Sequence, residues 1–172
     1  LLTSSEKEKG MSNIWFKMTD VTGESTDAGH IGEINVISWK WRFSKTHRDK
    51  KGKNTSVRNL SFVHRVDRAS VSLLNHMLAN KVAEQATLSI RSATAQALPA
   101  ALGKIAPPPF DFSKINFKNV MVMELEPFGF SGGHFEEVIV SFTEFKWEYS
   151  PEKDGLAVGT AVAQHKLGPD VA

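Results

Sequence analysis

The chain of 172 residues has no cysteine and a single tyrosine. Without cysteine there is no disulfide, no thiolate zinc site and no thiol nucleophile. No run of about 18 apolar residues occurs, so no segment reads as a membrane-crossing helix. A positively charged leader followed by an apolar stretch is also missing, so export would need a route that reads no such signal. Charge of one sign is scarce: 21 Lys and Arg stand against 19 Asp and Glu. That balance gives no general footprint for nucleic acid. The six histidines (His30, His47, His64, His76, His134 and His165) are dispersed and form no paired ligand spacing. No G-x-S-x-G, phosphate-loop or dinucleotide fingerprint appears.

What the chain does have is apolar content of 41%, enough for the core of one domain. Much of it alternates. Ile14, Phe16 and Met18 share one face of a first strand. Ile34–Phe43 reads as one ten-residue strand, with Asn35, Ile37, Trp39, Trp41 and Phe43 on a core face and Ile34, Val36, Ser38, Lys40 and Arg42 on the other. Val57–Val66 alternates with Arg58, Leu60, Phe62, His64 and Val66 on one side. Gln85–Ser92 points Ala86, Leu88 and Ile90 inward. Ile115–Leu125, Glu137–Tyr149 and Gly159–Leu167 complete about seven strands, with Ile139, Phe145, Trp147 and Tyr149 on one face of the sixth. PFGFSGGH, from Pro127 to His134, reads as a loop. Helical spacing occurs once, in Asp67–Lys81, where Ser70 is the expected N-cap and Leu73, Leu74, Met77 and Leu78 the expected buried stripe. The pattern predicts a mainly β fold: an antiparallel barrel or tight sandwich with one short α-helix packed on its side.

Two polar stretches interrupt the alternation. Gly23–Glu33 is rich in Gly, Ser, Thr and Asp and reads as a turn-rich loop. Ser44–Thr55 holds Lys45, Arg48, Lys50, Lys51 and Lys53 against Asp49 alone, with no apolar anchor, and reads as a projecting arm. Residues 1–10 read as a tail foreign to the domain, and 11–172 as one domain. Within it, 93–114 contains Pro99 and Pro107–Pro109 and reads as an insertion.

The order Gly23-Glu24-Ser25, Asp27, His30, then Glu33-Ile34-x-Val36-x-Ser38-Trp39-x-Trp41 resembles the haemolysin-coregulated protein (Hcp) family, which forms the inner tube of the bacterial type VI secretion system. Three further runs are similar to strands of that family: NLSFVHRVD, the A-x-L-x-I-R of Ala86–Arg91, and the W-x-Y-x-P that ends at Pro151. The likeness covers about Ile14 to Pro151. It implies a hexameric ring of two-sheeted barrels, stacked into a tube that is assembled in the bacterial cytoplasm and exported by the machine itself. The implied partners are further copies of the chain, sheath and spike proteins, and secreted effectors. The equivalent of the 44–55 loop reaches the next ring in that family, although it is usually rich in Gly and Ser rather than basic. The 93–114 insertion is longer than the family's usual turn.

Candidate chemistry gathers in the first polar loop, where Glu24, Asp27, His30 and Glu33 lie within ten residues. Their spacing fits no helical or strand ligand set, so bonds within the loop or across a subunit contact are the favoured reading. No catalytic residue, metal or cofactor is expected. The basic arm lacks the interleaved aromatics of single-strand binders, which argues against nucleic acid. The alternative to a tube subunit is a monomeric barrel holding a small ligand, and bulky inward residues on every strand argue against that.

Overall fold

In the computed structural model, residues 13–46, 54–91, 110–153 and 156–167 are described. The strands are β1 (Ile14–Met18), β2 (Ile34–Lys40), β3 (Phe43–Thr46), β4 (Asn54–Val57), β5 (Leu60–Arg65), β6 (Ala83–Arg91), β7 (Asp111–Phe130), β8 (Gly133–Ser141), β9 (Glu144–Tyr149), β10 (Glu152–Lys153), β11 (Leu156–Ala157) and β12 (Ala161–Lys166); helix α1 (Arg68–Leu78) lies between β5 and β6. All pairings are antiparallel, and β1-β2-β5-β8-β7-β6 closes on itself as a six-stranded barrel. Strands β9 and β12 extend the sheet beyond the barrel from the first half of β7.

Strand β7 makes this possible by changing partners midway. Residues 113–118 pair with β9 and residues 121–130 with β8. Asn119 sits between them at φ 50°, a conformation that Asn tolerates better than most side chains. Its amide donates to Thr143 Oγ1 at 2.8 Å, fixing the corner where β8 gives way to β9. The expected single strand 137–149 is therefore two strands with a corner at Phe142 and Thr143. The expected loop at 127–134 is mostly strand, because β7 and β8 continue as a hairpin whose turn is Ser131 and Gly132.

Inside the barrel Phe16, Ile34, Leu60, Phe62, Leu88, Ile115, Phe117, Val138 and Val140 form one buried cluster. Helix α1 adds Ala69 and Leu73 to the same cluster. Its N-cap is Asp67 rather than Ser70: Asp67 accepts from Ala69 N at 2.8 Å, and Ser70 returns a bond to the Asp67 backbone as a capping box. The buried stripe is Ala69, Leu73 and His76, with Met77 packed alongside, while Leu74 and Leu78 face outward with Val71. The expected stripe was thus rotated by about one residue.

The keel strand differs from expectation in the same way. Ile34 and Val36 are buried, and Ile37 is 52% exposed. A register shift between Val36 and Ser38 reverses the alternation, so that Trp39 and Trp41 pack on the core side with Ile34 and Val36. The strand also ends at Lys40. Phe43 begins a separate hairpin, β3–β4, in which it pairs with Val57. That pairing is the base of the basic arm, and it does have an apolar anchor: Val57 is buried and Phe43 lies 4.3 Å from Trp41 between ring centroids. Arg58 and Val66, expected on a continuous strand, flank β5 and are exposed. On the other arm of the fold, residues 111–114 of the expected insertion belong to β7. Residues 1–12 and 92–109 lie outside the described residues, so the tail and the proline-rich part of the insertion are not placed.

Candidate functional site

The loop 23–33 folds back on itself through short backbone bonds. Gly23 N donates to Gly32 O at 2.7 Å, Ser25 N to Glu33 O at 3.0 Å and Gly32 N to Ser25 O at 2.9 Å. Gly23 is required here because a Cβ would collide with the Glu33 carbonyl group. Asp27 Oδ1 accepts from Gly29 N at 2.9 Å, a local turn of the kind Asp favours.

This folded loop covers the outer face of β1. Trp15, on the face opposite Phe16, is only 1% exposed because the His30 ring stacks on it at 4.0 Å and the Arg91 guanidinium lies 4.6 Å from its centroid. His30 Nδ1 is 2.8 Å from Glu33 Oε2, and Nε2 is 3.0 Å from Asp111 Oδ1. Arg91, at the end of β6, donates to Asp27 Oδ2 at 2.8 Å and to Asp111 Oδ1 at 3.3 Å. Lys114 Nζ completes the set at 3.1 Å from Asp111 Oδ2. Burial pushes the Asp27 and Asp111 carboxyls up, but the bonds from Arg91 and Gly29 to the first, and from His30 and Lys114 to the second, outweigh it and hold both below their ordinary value. Three chain regions are thereby tied together: the loop, the end of β6 and the start of β7.

A second buried set ties α1 to the barrel. His64, fully buried, lies 2.7 Å from Glu136 Oε1 and 3.9 Å from Asp67 Oδ1. Burial raises Glu136, and hydrogen bonds from His64 and Ser70 more than reverse that. Glu24 reaches across from the loop to accept from Arg68 N at 3.4 Å.

The sequence-predicted loop residues therefore divide by role. Asp27, His30 and Glu33 join one cluster, Ser25 and Gly23 shape the loop, and Glu24 serves the helix start. Ile34 is core, Trp39 borders it, and Trp41 donates from Nε1 to Arg58 O at 2.7 Å while packing among Phe43, Phe117 and Phe145. Lys45 is exposed on β3, and Arg48, Lys50, Lys51 and Lys53 lie outside the described residues. Sequence reasoning missed Arg91, Asp111 and Trp15 as partners of this loop. The available signal was an arginine at the end of an apolar strand, out of step with the inward-facing Ala86 and Leu88. Among the described residues, no group of three or more His, Asp and Glu is placed to hold a metal ion. Each carboxylate of the first cluster is matched by a cation or imidazole, an arrangement that suits a clamp.

A family profile described as "Type VI secretion system effector, Hcp" matches residues 15–149. The chain belongs to the Hcp family. Hcp proteins are the tube proteins of the type VI secretion machinery and are structural rather than enzymatic. This Hcp is 29% identical over 159 residues to protein hcp1 of Pseudomonas aeruginosa, covering 87% of the chain and 91% of that protein. Its fold matches the crystal structure of Hcp1 from Salmonella typhimurium with a TM-score of 0.72 and 30% identity, over 90% of this chain and 93% of that one. A type VI secretion system effector from Yersinia pestis matches with a TM-score of 0.71 and 25% identity, over 90% and 99% of the two chains. In this Hcp the two buried clusters serve the shape of the subunit, and no helix of the described residues is long and apolar enough to cross a membrane.

Proposed function

We propose that this Hcp closes into homohexameric rings, that the rings stack into the inner tube of the type VI machine, and that effectors travel in the lumen. Sheath and spike proteins are then its other partners. The observation that carries the ring is β12. The closed barrel has no free edge, yet among the described residues β12 ends the sheet with no strand on its outer side, and all six of its residues are exposed. Tyr149 of β9 and Val162 are exposed beside it. Monomeric proteins shield such edges. A neighbouring copy covers this one at little cost, and a head-to-tail contact that closes by rotation yields a ring. A small-ligand barrel has less support, because the interior is occupied by Phe16, Phe62, Leu88 and Phe117.

Static light scattering on the purified chain tests the ring. A mass six times the 19.0 kDa subunit is expected. A monomer throughout the micromolar range overturns the proposal.

A further inference from the structure

The outer faces of the barrel differ in charge. On the shelf formed by the first half of β7 with β9 and β12, Lys114, Lys118, Lys146 and Lys166 point outward against Glu144 and Glu148. Lys118 pairs with Glu144 at 3.2 Å and Lys146 with Glu148 at 2.8 Å, while Lys166 stands opposite Glu144 in register, so one carboxylate sits between two lysines. Lys114 is held by Asp111 at 3.1 Å, so the positive surplus is Lys166, on β12 itself.

The face formed by the second half of β7 with β8 has the reverse character. Glu124, Glu126 and Glu137 point outward, and Glu126 stands directly across the strands from Glu137. Like charges in that relation destabilise a sheet. None of the three makes an ion pair among the described residues. Glu137 accepts a hydrogen bond from Ser61 Oγ at 2.6 Å, and no cation does the same. Lys40 and Arg65 lie on the neighbouring strands, and Arg65 is turned over the Phe135 ring at 5.0 Å.

We infer that these two faces meet at the seam between neighbouring subunits, the acidic β7–β8 strip of one copy docking on the basic β7–β9–β12 shelf of the next. The inference rests on the ring reading above and specifies its contact. The partner is a second copy because each chain carries both halves of a complementary pair on different surfaces, which is the condition for a heterologous, ring-closing contact. It also gives the repelling glutamates the cations they lack. Charge across a seam fixes register and rejects wrong pairings more than it adds affinity. Its influence weakens as salt shortens the Debye length, about 8 Å at physiological ionic strength.

The test is a charge swap. The double variants Glu124→Lys/Glu126→Lys and Lys118→Glu/Lys166→Glu alter exposed side chains only, and circular dichroism checks that each remains folded. Each is expected to raise the concentration at which rings dissociate by more than about tenfold, since like charges then face each other. The quadruple variant restores opposite charge and is expected to recover most of the loss. If the parent forms rings and the folded double variants assemble as it does, this seam is wrong while the ring stands. Disruption by both doubles with no recovery in the quadruple also overturns the pairing of the two faces. A parent chain that forms no ring overturns both readings together.

Discussion

Arg91 is where the polar loop becomes part of the barrel. Its guanidinium is buried between Asp27 and Asp111 and rests on Trp15. Removing one partner from a buried ionic set leaves uncompensated charge, which costs about 3–5 kcal/mol. Arg91→Met is therefore expected to lose roughly that much in urea unfolding. The pH dependence carries a sign. Asp27 and Asp111 are held below their ordinary value of 3.8, so their contribution is complete above that pH and lost as the pH falls through the folded values. The deficit of Arg91→Met should be full near neutral pH and shrink below 3.8, as Asp27, the carboxyl that Arg91 holds down, protonates. A deficit unchanged between pH 7 and 3 would mean that Arg91 acts through packing on Trp15 alone. The local half of this cluster was readable in sequence, since His30 and Glu33 are three residues apart. The other half was not, because Arg91 and Asp111 arrive from 61 and 81 residues beyond His30 through the pairing of β1, β6 and β7.

Elements were readable where alternation is unbroken and misread where one residue shifts the phase. Strand β1 keeps its period, as do Leu60, Phe62 and His64 in β5 and Ala86 and Leu88 in β6, and these residues are buried as that period demands; at the end of β6 a shift between Ile90 and Arg91 breaks it, so that Arg91 is buried and Ile90 only partly so. In β2 the shift at Val36–Ser38 leaves no compositional trace, because Ile37 is as apolar as the residues it displaces. In α1 the apolar stripe is wider than the buried one, and only the position of the barrel decides that Leu73 is covered and Leu78 is not. The basic arm belongs at this scale too. We propose that it guides ring-to-ring stacking. Its base is pinned by Phe43 and Val57, so charge changes at Lys50, Lys51 and Lys53 should leave barrel and ring intact. Exposed ion pairs contribute only about 0–1 kcal/mol each, but a ring presents the arm on every subunit and the contributions combine. Lys50→Glu/Lys51→Glu/Lys53→Glu is expected to form rings normally and to assemble fewer tubes, as counted by electron microscopy. Undiminished tubes would refute the electrostatic role, and loss of the rings would move the arm to the lateral contact.

At the scale of the whole molecule, the number of strands matters less than how the chain disposes of their edges. Alternation along the sequence foretells a barrel, but which strand is left over depends on Asn119 and the corner at Thr143, where β7 exchanges β8 for β9. The remainder is β12, joined to the subunit through β9 and exposed along its length. An edge of this kind contributes little to its own subunit and much to a neighbour that pairs with it. Its two alanines, Ala161 and Ala163, stand opposite Tyr149 and Trp147 on the sheet face turned away from the lysines of the shelf. Charged residues placed there act as natural proteins do when they guard an edge against pairing. Ala161→Lys/Ala163→Lys changes exposed positions only, and such changes usually move subunit stability by no more than about 0.5 kcal/mol each. Unfolding of the dilute subunit should therefore be almost unaltered, while light scattering should report monomer where the parent protein is assembled. A variant that still forms rings would show that the seam leaves β12 uncovered, and a variant that unfolds would show that the strand belongs to the subunit's own stability.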